Sequence, residues 1–345
     1  MGMAAPILVK PLYRELGLDR SQPLRVSLAN TEFEAAASEV KDGDGGLIGL
    51  GFEQMFAPRR VEAMLPASLL RDRVLILDHA RQRFALKRPE EFRPEGVAVP
   101  IALNPDTGLA TVDVGVDVET HAFAIDAGSG YTWMRGDTLR NCLAAHPDWR
   151  RAEGAVGLAN YNMIDFAFEK KGTVARLPQI AIGGATLSDV GVLGTGPVLG
   201  SFTDGIVGDL FWDSWQKAAP KPVVGWLGSN VLRNFRLAID YPNRMSYWLA
   251  QRAYDAADLD QPGITLVRRD RRYYVGGIVR PAQGAALEGV MVGDELMGVE
   301  AIDAREASKG ALLAALHGKP GETKLLTLLR DGASVKIDAP VLDLR

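Results

Sequence analysis

Short apolar runs broken by Gly, Pro, Asn and Asp recur along most of this chain. Leu24-Arg25-Val26-Ser27-Leu28 alternates cleanly, as does Thr111-Val112-Asp113-Val114-Gly115-Val116. A two-residue period places every second side chain on one face of a pleated strand, so these runs predict strands joined by turns. Helical spacing is confined to Leu12 to Leu16, Gly136 to Ala145, Asp209 to Ala218 and Ser308 to Leu316. Two polar, proline-containing stretches, 89–96 and 251–262, read as linkers. They divide the chain into blocks 1–88, 97–250 and 263–345, a mainly β protein in three parts.

The first two blocks share a pattern. Leu70-Arg71-Asp72-Arg73-Val74-Leu75-Ile76-Leu77-Asp78-His79 aligns without a gap on Leu232-Arg233-Asn234-Phe235-Arg236-Leu237-Ala238-Ile239-Asp240-Tyr241. Each run leads into a second apolar strand, ending near Leu86 and Trp248 respectively. Upstream, Gly46-Leu47-Ile48-Gly49-Leu50 parallels Val223-Val224-Gly225-Trp226-Leu227-Gly228. An internal repeat of this kind predicts two related β-lobes.

Composition narrows the function classes. With 39 basic and 43 acidic residues the net charge is −4, so bulk charge makes no case for nucleic acid. The 47% apolar content is that of a globular chain. One cysteine, Cys142, and four scattered histidines supply neither a disulfide nor a zinc-ligand cluster. No apolar run reaches the ~18 residues of a membrane span, and the opening Met1-Gly2-Met3-Ala4-Ala5-Pro6 lacks the pattern of a signal peptide. Thirty-seven glycines point to many tight turns. There is no Gly-x-Ser-x-Gly elbow, no His-Glu-x-x-His, no Walker loop and no Gly-x-Gly-x-x-Gly.

The chemistry-bearing stretch is Phe123-Ala124-Ile125-Asp126-Ala127-Gly128-Ser129-Gly130. An apolar strand runs straight into Asp-x-Gly-Ser, so the Asp126 carboxylate emerges at the strand's end and Gly128 permits a turn that aims N–H groups toward it. About a hundred residues later Val223-Val224-Gly225 follows, then Trp226-Leu227-Gly228-Ser229-Asn230. In this order, and closed by Phe235 to Pro242, the sequence resembles the retropepsin-like aspartic proteases of bacteria. The resemblance implies Asp126 as a catalytic carboxylate, with Ala127, Gly128, Ser129 and Gly225 supporting its loop. Asp106-Thr107-Gly108 also matches the family tripeptide, but Asn104-Pro105 precedes it, so it reads as a β-turn.

Hydrolysis of a peptide bond without metal or covalent intermediate needs a carboxylate to take a proton from water and an acid to protonate the substrate. Two aspartates ~3 Å apart share one proton because like charges that close cannot both ionise. A solitary carboxylate, with a reference pKa near ~3.9, is simply ionised at neutral pH. Asp126 is therefore half a site. Laying block one on block two by the turn puts Gly2 on Gly128 and Met3 on Ser129, so the position matching Asp126 falls just before Met1. Two expectations stand side by side: a first lobe whose catalytic strand lies upstream of Met1, or a degenerate, structural first lobe. Assembly of two copies through Asp126 is a third.

Ala127 departs from the family's Thr or Ser, which implies a looser dyad. Residues 150–171 are expected as a mobile flap. Tyr131, Trp133, Trp149, Trp212, Trp215 and Trp226 read as core, with Trp226 the best candidate for a cleft position. The basic cluster from Arg268 to Arg272 reads as a solvated hairpin turn.

In block three, Gly263-Ile264-Thr265-Leu266 precedes a hairpin, Pro281-Ala282-Gln283-Gly284-Ala285-Ala286, and Gly293-Asp294-Glu295-Leu296. This resembles bacterial PDZ domains over 263–345. The resemblance implies an α+β module that takes a substrate or partner peptide at a sheet edge, its C-terminal carboxylate meeting N–H groups near Gly263, Ile264, Thr265 and Leu266. Thr265 departs from the usual glycine. The combined expectation is an aspartic peptidase with a peptide-binding module, needing no cofactor or metal. Its alternative is a non-catalytic peptide-binding or scaffolding protein. The compartment is left open, the cell envelope or periplasm being expected only if the chain continues upstream.

Overall fold

A computed structural model describes residues 4–17, 22–29, 31–36, 38–42, 60–165, 167–195, 212–213 and 215–344. Strands dominate it. Of the expected helices, Lys10–Glu15, Gly136–Ala145 and Lys309–Leu316 form, the last capped by the Ser308 hydroxyl accepting from the Ala311 N–H. The helix expected from Asp209 to Ala218 is described only from residue 212, and the Gly46 to Leu50 stretch lies outside the described residues.

The repeated stretches form two β-hairpins, Val74–Asp78 with Arg83–Lys87 and Phe235–Asp240 with Met245–Ala250. Their registers are the same after a shift of 162 residues: Asp78 faces Arg83 as Asp240 faces Met245 (78 to 240, 83 to 245). The two leading strands then pair antiparallel with Ile76 opposite Ala238, its own counterpart under that shift. A repeat that pairs with itself about its midpoint has local twofold symmetry, the intramolecular form of an isologous contact. The turns repeat as well. Buried Asp78 accepts from the Arg81 N–H at 3.1 Å, and buried Asp240 accepts from the Asn243 N–H at 3.1 Å. Val97–Pro100 extends this five-stranded sheet beside Met245–Ala250.

Six strands close on themselves next to it. Around the ring they run Ala110–Val116, Thr173–Ile182, Ala185–Thr195, Trp133–Arg135, Gly225–Leu227 and Glu119–Ile125, which returns to the first. Closure leaves each strand paired on both sides. The interior is filled by Val112, Val114, Phe123, Met134, Ile180 and Val192, all at most 2% exposed. The 104–108 segment enters this ring as a turn. Asn104 Oδ1 accepts from the Asp106 and Thr107 N–H groups, and Gly108 has a positive φ of 70° where a Cβ would collide with the backbone of Ala67 and Ser68.

The C-terminal sheet runs in the order Ile264–Arg269, Arg272–Ile278, Glu295–Val299, Thr323–Arg330, Ala333–Pro340, with Lys309–Leu316 packed on it. The Arg268 to Arg272 cluster does straddle a hairpin turn, with Asp270 and Arg271 at positive φ. The 251–262 stretch, expected as a solvated linker, is packed: Asp258, Leu259, Asp260 and Gln261 are buried. One apolar cluster runs from Leu109 and Trp133 through Leu259 to Val279 and Leu344, so the second and third blocks share a core. Alternation and turn residues mark strands, but carry no information on which connecting stretches other parts of the chain will cover.

Candidate active site

Asp126 leaves the end of strand Glu119–Ile125, whose inner residues Phe123 and Ala124 are buried. That strand pairs parallel with Gly225–Leu227, which pairs antiparallel with Trp133–Arg135 on its other side. The Asp126 turn is thus pinned between two adjacent strands. Gly225 is required there, because a Cβ would collide with the Trp133 carbonyl oxygen. The Asp126 N–H donates to the Leu227 carbonyl at 3.1 Å, and the Gly128 N–H donates to Asp126 Oδ1 at 3.0 Å. Asp126 is half-buried, while Ala127 and Gly128 are exposed.

Ser129 rivets the turn to the second loop. Its hydroxyl donates to the Tyr131 carbonyl at 2.8 Å and accepts from Trp226 Nε1–H at 2.9 Å. Its carbonyl accepts from the Ser229 N–H at 2.8 Å. Trp226 lies between Trp133 and Trp215, with ring centroids 4.9 and 4.8 Å away, and is 4% exposed. It is a core residue whose indole N–H serves the site, not a cleft wall.

Behind the turn lies a buried polar chain that no sequence signal marked. Asn230, 1% exposed, accepts through Oδ1 from the Thr132 N–H and hydroxyl, both at 2.8 Å. Its amide donates to the Gly191 carbonyl at 2.9 Å and to the Tyr254 hydroxyl at 3.2 Å. The Thr132 hydroxyl accepts from the Gly228 N–H at 3.0 Å. Tyr254 donates to Asp258 Oδ2 at 2.7 Å, and Asp258 Oδ1 accepts from Arg176 at 2.6 Å, with both charged side chains at most 3% exposed. Burial, then the neighbouring Asp258 carboxylate, pushes the Tyr254 phenol far above its ordinary range, so it is a permanent donor. Such a chain rigidifies the loops it connects.

An open pocket of about 280 Å³ adjoins the turn, lined by Gly128, Gly130, Leu158, Tyr161, Ser229 and Arg233 among others. The 150–171 stretch does not form the hairpin flap expected of it. Arg151–Glu153 pairs with Thr173–Ile182 on one side and Arg280–Pro281 on the other, a 3-10 turn spans Gly157–Asn160, and a short helix spans Ala167–Lys171. Contacts with the C-terminal sheet decide this, and nothing in the local sequence announces them.

Gly263, Ile264, Thr265 and Leu266 are distant in role from Asp126 and are all buried. The Ile264 N–H donates to Pro262 at 2.7 Å, the Thr265 hydroxyl to Ala155 at 2.8 Å, and the Leu266 N–H to Asn160 Oδ1 at 2.6 Å. The amides expected to receive a peptide carboxylate are therefore taken up within the chain, because residues 155–160 fold over them.

Among the described residues no three His, Cys, Asp or Glu side chains gather as a metal centre, and no helix is long and apolar enough to cross a membrane. The sequence matches no protein-family model, and it matches no curated protein. Among solved structures, the chain is similar to a retropepsin-like aspartic protease from Rickettsia conorii, at 15% identity and a TM-score of 0.29. That likeness covers 46% of this chain and 97% of the other.

Proposed function

We propose that this protein is an aspartic peptidase in which Asp126 is one of two carboxylates that activate water against a peptide bond. The observation that supports this most is the anchoring of Asp126. It stands at the end of a strand paired parallel with Gly225–Leu227, with the Gly128 N–H on its Oδ1. One carboxylate takes the proton of the attacking water while the protonated partner donates to the carbonyl oxygen, and no metal or acyl intermediate is involved. The partner carboxylate belongs to a first lobe related to the second, a reading favoured by the local twofold symmetry of the two hairpins. The C-terminal sheet is proposed as a PDZ-like module that holds substrate or partner peptides along its Ile264–Arg269 edge.

A non-catalytic peptide-binding protein is the second reading, favoured by Ala127, which offers no hydroxyl to hold an opposing loop. The test is incubation with denatured protein from acidic to neutral pH, alongside Asp126→Asn. Cleavage abolished by Asp126→Asn supports the peptidase. Equal cleavage by both proteins removes Asp126 from the mechanism, and cleavage by neither leaves the binding reading.

A further inference from the structure

Ile264–Arg269 is the edge strand of the C-terminal sheet, and its outer side is not bare. Residues 155–164 lie along it. The Leu266 N–H donates to Asn160 Oδ1 at 2.6 Å, and Asn160 Nδ2 donates back to the Leu266 carbonyl at 3.0 Å. Two residues on, the Arg268 N–H donates to the Met163 carbonyl at 2.8 Å. Alternate residues of one strand side are thus satisfied, as an added β-strand would satisfy them. From the opposite wall, Lys309 at the start of helix Lys309–Leu316 donates to the Asn162 carbonyl at 2.9 Å. Between the walls the Met163 side chain is fully buried in the cluster that contains Leu266, Leu312 and Leu316. Glu169 fastens the segment from behind, accepting through Oε2 from Asn160 Nδ2 at 3.1 Å and from the Ile164 N–H at 3.2 Å.

The same segment has a second face. Leu158, Tyr161 and Asn162 line the pocket beside the Asp126 turn, and the Tyr161 ring packs so closely on Gly130 that a Cβ there would meet it at 3.2 Å. One short stretch therefore fills the groove of the C-terminal sheet and walls the candidate active site.

We propose that residues 155–164 are an internal latch. They occupy the groove in which an extended polypeptide with a Met-sized apolar side chain would lie, and their withdrawal opens both that groove and the pocket beside Asp126. Peptide occupancy of the C-terminal sheet is thereby coupled to access at Asp126. An incoming chain must replace the bonds to Leu266 and Arg268 and the buried Met163, which sets its chemistry: backbone N–H and C=O groups in register, and one apolar side chain between them. The coupling deepens the proposed peptidase function and rests on it. The latch itself does not, and its test reads amides and ring-current shifts that need no catalysis.

Amide hydrogen exchange followed by NMR on the full chain tests it, with Asn160→Ala and Lys309→Met. Asn160→Ala leaves the Arg268 bond to Met163 chemically intact. If the segment releases as a unit, Arg268 nevertheless exchanges at least about tenfold faster, while Glu295–Val299 and Thr323–Arg330 keep their protection. Lys309→Met accelerates Leu266 and Arg268 together. In both variants the Gly130 α-proton shifts move as the Tyr161 ring leaves. A synthetic peptide of residues 158–164, added to the Asn160→Ala protein, slows Arg268 exchange again. Unchanged Arg268 exchange in both variants overturns the latch, and so does equal acceleration across the central strands. Failure of the peptide to restore protection removes the groove as a peptide site.

Discussion

Replacing Asn230 by Ala removes the one side chain that bonds the Thr132, Gly191 and Tyr254 segments at once. The Thr132 N–H and the Gly191 carbonyl would both be left buried without their side-chain partner, and a small cavity would remain. An orphaned buried backbone group costs roughly 1–3 kcal/mol, so the substitution should destabilise the protein by about 3–5 kcal/mol. Urea unfolding followed by tryptophan fluorescence is a suitable assay, since Trp133 and Trp226 lie on the strands that the network joins. Thr132→Val removes the hydroxyl that donates to Asn230 and accepts from the Gly228 N–H. Combined with Asn230→Ala in a double-mutant cycle, it should show a coupling of about 1 kcal/mol or more. A loss below about 1 kcal/mol for Asn230→Ala, with no coupling to Thr132, would refute the view that this network holds the two loops together.

Two further expectations concern buried charge. Arg176→Met leaves the Asp258 carboxylate buried beside Tyr254 and should cost about 3–5 kcal/mol in urea unfolding, whereas Arg176→Met with Asp258→Leu should recover much of that loss. A double variant no more stable than the single one would count against the pair as the cause. Burial pushes the fully buried Glu169 carboxyl up to about 8, against the opposing pull of the Ile164 N–H and Lys309. A folded pKa raised above the unfolded value means that the unfolded chain releases its proton first. Stability tied to Glu169 is therefore present below about pH 4.5 and is lost as pH rises toward 8, by at most about 1.4 kcal/mol per unit. Lys309, drawn down to about 8 mainly by its own burial, acts in the opposite sense at higher pH in both proteins. Glu169→Gln should therefore gain on the wild type from pH 5 to 8 and level off above it in thermal unfolding. A constant difference over that range would contradict the assignment.

The strands, three of the helices and the Asp126 turn were legible because each depends on local chemistry. Alternation decides which face of a strand is apolar, Ser308 caps its own helix, and Asn104-Pro105 makes a turn of Asp106-Thr107-Gly108 whatever surrounds it. The repeat around Val74 and Phe235 was legible for a related reason, since two copies of one strand–turn–strand pattern meet with the same register. Asn230, Tyr254, Arg176 and Asp258 were not legible. They lie 4 to 82 residues apart along the chain, and each looks like an ordinary surface residue until folding removes its water. The same holds for 150–171 and 251–262, whose polar, glycine-containing sequences read as flap and linker. The sequence by itself determined a mainly β chain with a carboxylate poised at a strand end. Only the tertiary structure decided what covers what, because burial of polar groups depends on partners brought together across the whole fold.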